Sequence, residues 1–250
     1  MSGLRTERDG PVYKVTLARP DRRNAFDAAL IAELTEAFTL VGDARAVVLS
    51  GEGPAFCAGA DVEWQRSSID LSYDENVEDA MRLYEMCEAI DTCPAPAIAR
   101  VHGYALGGGS GLAACADIAV AAPDAVFGFS EVRLGIIPAV ISPFVLPKIG
   151  ARARRYFLTG ERFDADTALH IGLVHEVSDA PDAVIDGLLD AILSSGPDAI
   201  RAAKLLIRQR PIGVETARIA AERRTSEEGQ EGLRAFLDKR RASFVEERAG

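Results

Sequence analysis

Four short apolar runs constrain this chain more than any other feature: Val12 to Leu17, Ala46-Val-Val-Leu49, Ala97-Ile-Ala-Arg-Val101 and Asp117-Ile-Ala-Val-Ala121. Helical stretches separate them, and strands alternating with helices point to an α/β core. Asp27 is placed to cap a helix with apolar positions at Leu30, Ile31, Leu34, Phe38 and Val41. Gly51-Glu-Gly-Pro54 reads as a turn leading into the loop Phe56-Cys-Ala-Gly-Ala-Asp61. Ser67 to Asn76 carry no apolar period and are expected to be irregular and mobile, with a helix over Val77 to Ile90. After Pro147 helices dominate: Asp164 caps one through Ala168, Val174 to Val177 is a short strand, and Pro197 opens a helix through Ile207. A last amphipathic helix is expected over Gly229 to Glu247, its stripe of Leu233, Phe236, Leu237 and Phe244 calling for a cover such as a partner subunit. The fold class is therefore α/β with a helical C-terminal extension. No repeat of fixed period interrupts the pattern.

Composition removes several classes of function. With 28 Lys and Arg against 38 Asp and Glu the net charge is −10, the wrong sign for a nucleic-acid binder. An anionic ligand must then be held by local donors, such as a helix N-terminus or a few arginines. The segment Met1 to Gly10 is polar and excludes a secretory apolar core, and the apolar stretch from Ile136 to Ile149 is cut by Pro138, Pro143 and Pro147. A soluble, cytoplasmic protein without a membrane span is expected. Cys57, Cys87, Cys93 and Cys115 form no C-x-x-C pair and have no His at metal spacing, so neither a disulfide framework nor a metal centre is expected.

Gly107-Gly-Gly109 falls where a strand gives way to a helix, where unpaired backbone N–H groups and the positive helix end can converge on one oxygen. For a lone glycine triplet a strained turn or close helix packing is the simpler explanation. Leu112 stands where G-x-G-x-x-G needs its last glycine, no P-loop motif occurs, and Ser110 lacks the context of a nucleophile elbow. His102, His170 and His175 are isolated, and structural roles suit each. Glu131 differs from the other carboxylates because it interrupts the mainly apolar Val126 to Ile137. It is either functional or paired with Arg133, which shares its face if the segment is extended.

Taken together the segments resemble the enoyl-CoA hydratase/isomerase (crotonase) superfamily over nearly the whole chain. The resemblance is carried by Arg19-Pro-Asp-Arg-Arg-Asn-Ala25, Ala55-Phe-Cys-Ala-Gly-Ala-Asp61, Gly103-Tyr-Ala-Leu-Gly-Gly-Gly109 with Cys115-Ala-Asp-Ile118, and Phe127-Gly-Phe-Ser-Glu-Val-Arg-Leu-Gly-Ile-Ile-Pro138. It implies a spiral of ββα units, an acyl-CoA substrate and no cofactor, since coenzyme A is part of the substrate. Ala235-Phe-Leu-Asp-Lys-Arg-Arg-Ala-Ser-Phe244 resembles the family's last helix, which implies a homotrimer or a dimer of trimers. Residues 1–195 would form the core with the acyl-CoA site and 196–250 the helical trimerisation region.

By the resemblance, Ala60 and Gly108 supply the two backbone N–H groups that hold the thioester oxygen, and Glu131 is the catalytic acid and base. Ala25, Ala58, Asp61, Val62, Gly107, Gly111 and Pro138 would contact the substrate, with Arg22 near the nucleotide phosphates. The family's two-glutamate hydratases carry a first acid where this chain has Gly111. Gly107-Gly-Gly-Ser-Gly-Leu112, followed by Phe129 to Pro143, resembles the bacterial methylglutaconyl-CoA and isohexenylglutaconyl-CoA hydratases, which also show glycine there. The resemblance thus implies a hydratase of a short or branched 2-enoyl-CoA. An isomerase moving a double bond from the 3 to the 2 position with one glutamate is the alternative, and an acyl-CoA binder without turnover a third. Restoring a carboxylate at position 111 is expected to favour hydration if the backbone there admits a side chain.

Overall fold

The computed structural model describes residues 2–248. A hairpin opens the chain, β1 (Leu4–Asp9) and β2 (Val12–Leu17), followed by α1 (Ala28–Thr39), whose first turn is capped by the Asp27 carboxylate accepting from Leu30 N–H at 3.0 Å. Then come β3 (Ala46–Gly51), α2 (Val62–Ser67), α3 (Tyr73–Thr92), β4 (Ala97–Val101), β5 (Tyr104–Leu106) and α4 (Gly108–Cys115). Beyond them lie β6 (Ile118–Ala121), β7 (Val126–Gly128), α5 (Ser142–Ile149), α6 (Ala153–Thr159), β8 (Arg162–Asp164), α7 (Ala165–Ile171) and β9 (Glu176–Val177). Helices complete the chain: α8 (Pro181–Leu193), α9 (Pro197–Gln209), α10 (Val214–Thr225) and α11 (Glu227–Leu237).

The main sheet has the order β1-β2-β3-β4-β6-β9, antiparallel at its first pair and parallel thereafter. Parallel strands reached through helices are covered on both faces, and the side-chain period of two decides which residue meets which cover. Val15, Leu17, Val47, Leu49, Ala97, Ala99, Ala119 and Ala121 face the large core beneath α1, α3 and α4, while Val12, Ala46, Ile98 and Val120 meet Ile185 and Leu189 of α8. The small second sheet, β5-β7-β8, is extended by isolated pairings of Ala55 with Gly103 and of Cys57 with Ala105. Its pairings lay the loop before α2 against the glycine segment before α4.

The reading of Ser67 to Asn76 as irregular is corrected. Helix α2 runs through Ser67, a 3₁₀ turn covers Ser68–Asp70, and α3 begins at Tyr73. Its start is fixed by a reciprocal cap in which Ser72 Oγ accepts from Glu75 N–H at 3.3 Å and Glu75 Oε2 accepts from Ser72 N–H at 2.8 Å. The last helix is shorter than its apolar stripe suggests. It ends at Leu237, and Phe244 returns in a later turn against Gly232.

Helix α9 rests on the core through ions rather than apolar burial: Lys204 Nζ donates to Asp117 Oδ2 at 2.7 Å and Arg208 pairs with Asp91 at 3.1 Å. The returning tail is gripped by Arg45, whose buried guanidinium donates to the carbonyl of Phe244, to Glu246 and to the carbonyl of Ser195. Ile207, Ile212, Phe236 and Leu237 remain exposed within this chain. Among the described residues no helix is long and apolar enough to cross a membrane.

Asn24 ties the turn after β2 to the loop that leads towards the site. Its side chain is fully buried, its backbone is left-handed (φ 55°), Oδ1 accepts from Arg19 N–H, and Nδ2 donates to the carbonyls of Glu52 and Ala55. Asn24→Ala leaves those three groups unpaired at roughly 1 kcal/mol or more each, so urea unfolding is expected to show a loss of about 3 kcal/mol. A loss below about 1 kcal/mol would mean that water replaces the amide without cost.

Candidate functional site

Strand pairing aims the first donor. In the parallel bridge between Phe26 and Ala60, Phe26 N–H donates to Gly59 O and Asp61 N–H donates to Phe26 O, both at 2.9 Å. A parallel partner bonds the residues on either side of its opposite number, so the N–H of Ala60 itself faces the other way and makes no hydrogen bond among the described residues. The second donor comes from helix geometry. Gly108 is the first residue of α4, where the backbone N–H has no partner within the helix, and the positive helix end lies behind it. The two loops touch: a β-carbon on Gly59 would lie 3.7 Å from the Gly108 nitrogen.

The glycines are individually required. Gly107 has φ 53° and donates its N–H to Gly128 O at 2.8 Å, which makes the turn out of β5. A β-carbon on Gly108 would lie 2.9 Å from Phe26 Cε1 and closer still to Cζ, so the ring of Phe26 fills that space.

Glu131 stands beside Gly107, with Oε1 3.2 Å from where that residue's β-carbon would be. The alternative, a pairing with Arg133, does not form. Residues Glu131–Leu134 are a 3₁₀ turn rather than a strand, which rotates the two side chains apart and sets Arg133 against Gly160. Glu131 Oε2 is buried without a hydrogen-bond partner among the described residues, and burial pushes the carboxyl above the ordinary glutamate range, opposed by a bond to its own backbone. A cavity of about 290 Å³ joins these groups, lined among others by Ala58, Ala60, Gly107, Gly108, Glu131 and Pro138.

The remaining expected contacts lie outside that cavity. Asp61 is buried beneath Arg22 and Arg19, at 2.8 and 3.4 Å, and caps α2 by accepting from Glu63 N–H. Burial alone would raise its carboxyl, but the bonds from Arg22 and Glu63 prevail and hold it below the usual range. Arg22 is therefore neutralised, while Arg23 lies over the ring of Tyr104 with Arg162 nearby, their guanidinium carbons 5.5 and 5.8 Å from its centroid. Ala25 is buried, its carbonyl accepting from Arg19, and Val62 points outward with 68% exposure. Gly111 is shut away from the cavity by Ile141, whose Cβ would lie 3.0 Å from an added β-carbon, with Cγ2 closer. Gly111→Glu alone therefore cannot restore a second acid; the obstacle is Ile141, not the glycine's backbone.

The neighbouring cysteine and histidines offer no rival chemistry. Burial pushes the Cys57 thiol up to about 12, too high for a thiolate, despite a bond to the Gly59 backbone. His175 Nδ1 accepts from Ala119 N–H and His102 Nε2 meets the carbonyl of Gly53, so both serve the framework. Among the described residues no cluster of three His, Cys, Asp or Glu could hold a metal ion. Trp64, Gln65, Asp79 and Leu83, which α2 and α3 bring to the cavity, could not be placed individually from the sequence. For the two residues on α3 the signal was Ser72-Tyr-Asp-Glu75, a capping box that starts a helix four residues before the apolar period begins.

Residues 7–247 match the family described as Enoyl-CoA hydratase/isomerase. The chain belongs to this family. An enoyl-CoA hydratase from Shewanella pealeana is 40% identical, with a TM-score of 0.91 over 96% of this chain and 95% of its own. AtuE of Pseudomonas aeruginosa is 36% identical, with a TM-score of 0.93 over 98% of this chain and all of its own. An enoyl-CoA hydratase of Alternaria alternata is 32% identical over 215 residues, 83% of this chain and 70% of its own. The α/β architecture with its helical C-terminal region is thus the crotonase fold, and the protein is an enzyme of the hydratase/isomerase family.

Because folding raises the Glu131 carboxyl, the native protein binds that proton more tightly than the unfolded chain does. The ionised side chain thus costs stability above the raised value and costs nothing below the unfolded value of about 4.3. Glu131→Gln is expected to raise Tm at about pH 7.5, with the gain fading as pH falls towards about 4. Thermal melts across that range check it, and an unchanged Tm at the higher pH would contradict the buried charge.

Proposed function

We propose that this enzyme hydrates a short or branched 2-enoyl-CoA. The observation that carries the reading is the meeting, in one cavity, of two unpartnered backbone N–H groups from separate segments and one buried carboxylate oxygen without a partner. The N–H groups of Ala60 and Gly108 hold the thioester carbonyl oxygen. As water adds to the β-carbon, the π electrons move towards that oxygen, and each fixed donor lowers the barrier by roughly 3 kcal/mol. Glu131 Oε2 takes a proton from the attacking water and returns it to the α-carbon on the same face, so one carboxylate serves as base and then acid. No resident cofactor enters this scheme; coenzyme A is the handle of the substrate. Ala58, Gly107 and Pro138 border the acyl-thioester path, and Arg22 and Arg23 stand beside the loop of Ala58, where Arg23 supplies the cation not already held by Asp61.

A second reading has one observation in its favour. Ile141 fills the space above Gly111, leaving Glu131 without a second acid to position water, which suits a single base shuttling a proton between C2 and C4 of a 3-enoyl-CoA. An inert acyl-CoA binder would have no use for a buried ionisable group that costs stability.

We also propose that residues 1–195 form the catalytic core and 196–250 the assembly region of a homotrimer or a dimer of trimers, acting in the cytoplasm. Positions 1, 249 and 250 lie outside the described residues. Ile207, Ile212, Phe236 and Leu237, exposed in one chain, support such a cover by other copies.

Purified protein assayed with crotonyl-CoA, 3-methylcrotonyl-CoA and a 3-enoyl-CoA, followed at the conjugated thioester, separates hydration, isomerisation and inert binding. Glu131→Gln is expected to lower kcat at least about 100-fold with little change in acyl-CoA affinity; a loss under about tenfold would assign the proton transfers elsewhere. The joint change Phe236→Glu and Leu237→Glu is expected to give monomers in sedimentation velocity. An unchanged oligomer would remove α11 from the interface.

A further inference from the structure

The acyl cavity is charged on one side of the balance only. Its lining contains Glu131 and Asp79, and among the described residues no Lys, Arg or His. Asp79 stands on α3 with its side chain 14% exposed, and Oδ1 lies 3.1 Å from Nη2 of Arg82 one turn along. Arg82 is half-exposed and belongs to a separate groove with Ala28 and Thr35 of α1, so it pairs with Asp79 from outside and weakens, without removing, the negative charge that Asp79 presents to the cavity. Two of the neutral polar side chains of the lining are already engaged, and the others, Gln65 and Ser130 among them, carry no charge. The Asn76 amide donates back to the carbonyls of Leu71 and Ser72, and the Ser68 hydroxyl donates to the carbonyl of Gln65. Trp64, Leu83, Ile137 and Ile141 supply apolar wall.

We propose that Asp79 is a specificity-determining residue that confines the enzyme to acyl groups uncharged beyond the thioester, turning away chains that end in a carboxylate. The proposal rests on the reading of this cavity as the acyl pocket. A distal carboxylate entering it would give up its water without gaining a cation, and would share the space with two carboxylates of its own sign. It would also favour the protonated form of Glu131, removing the base that hydration needs. An apolar branch meets only the isoleucine, leucine and tryptophan wall. The sequence resemblance to glutaconyl-type hydratases concerns Gly107 to Leu112 and Phe129 to Pro143, and Asp79 lies outside both segments.

Two thioesters differing by one carboxylate test the idea: 3-methylcrotonyl-CoA and 3-methylglutaconyl-CoA. Wild-type enzyme is expected to favour the uncharged substrate by about tenfold or more in kcat/KM, and Asp79→Asn and Asp79→Ser are each expected to shrink that ratio at least about threefold, chiefly through the KM of the carboxylated substrate. The saturated analogues isovaleryl-CoA and 3-methylglutaryl-CoA, used as competing ligands, are expected to bind in the same order. If neither enoyl thioester is hydrated while the saturated pair keeps its order and responds to Asp79→Asn, hydration is the wrong reaction and the charge selection stands. If both enoyl thioesters are hydrated equally well, or the ratio is unmoved in both variants, the proposal is overturned and hydration stands.

Discussion

The site depends on one backbone pairing, the parallel bridge between Phe26 and Ala60. Hydrogen bonds to the residues on either side of Ala60 fix its peptide plane, and the direction of the free N–H follows from ladder geometry rather than from any side chain. The bridge exists because Asn24 holds the preceding turn and because Cys57 pairs with Ala105 on the other side. Phe26, which makes the bridge, also fills the space a side chain at Gly108 would need. One residue thus orients the first donor and limits the second position to glycine. In the proposed hydration, donors held by a sheet and a helix start would need no rearrangement as charge develops on the thioester oxygen.

Much of this was legible in the residues. The short apolar runs of the strands, Asp27 before α1 and Asp164 before α7 all act locally, and local signals survive in sequence. Gly107 could be placed between strand and helix for the same reason. What could not be read was where distant segments meet. Ile141 above Gly111 and Asp79 in the same cavity as Glu131 are consequences of packing over long separations. Arg22 and Asp61, 39 positions apart, looked like two ligand contacts and are partners of one another. The exposed edge strand β1, with one apolar residue at its start, offered no period to detect.

Glu131 and the apolar sheet face illustrate opposite demands on the same fold. The alanines at 97, 99, 119 and 121 let α4 approach closely, and Gly109 to Cys115 of that helix are entirely buried. That tight packing holds the end of α4 still. Glu131, a few residues beyond β7, keeps a buried oxygen unpaired within the same framework, a local loss that the surrounding core absorbs.

The grip of Arg45 on the returning tail has a consequence for biosynthesis. The guanidinium is buried near the start of β3, yet two of its three acceptors, Phe244 and Glu246, emerge about two hundred residues later. Until that segment leaves the ribosome, the nascent core holds a cation with only Ser195 to answer it. The environment of this cation is thus completed only by the last residues of the chain, which couples the start of β3 to the C-terminal segment.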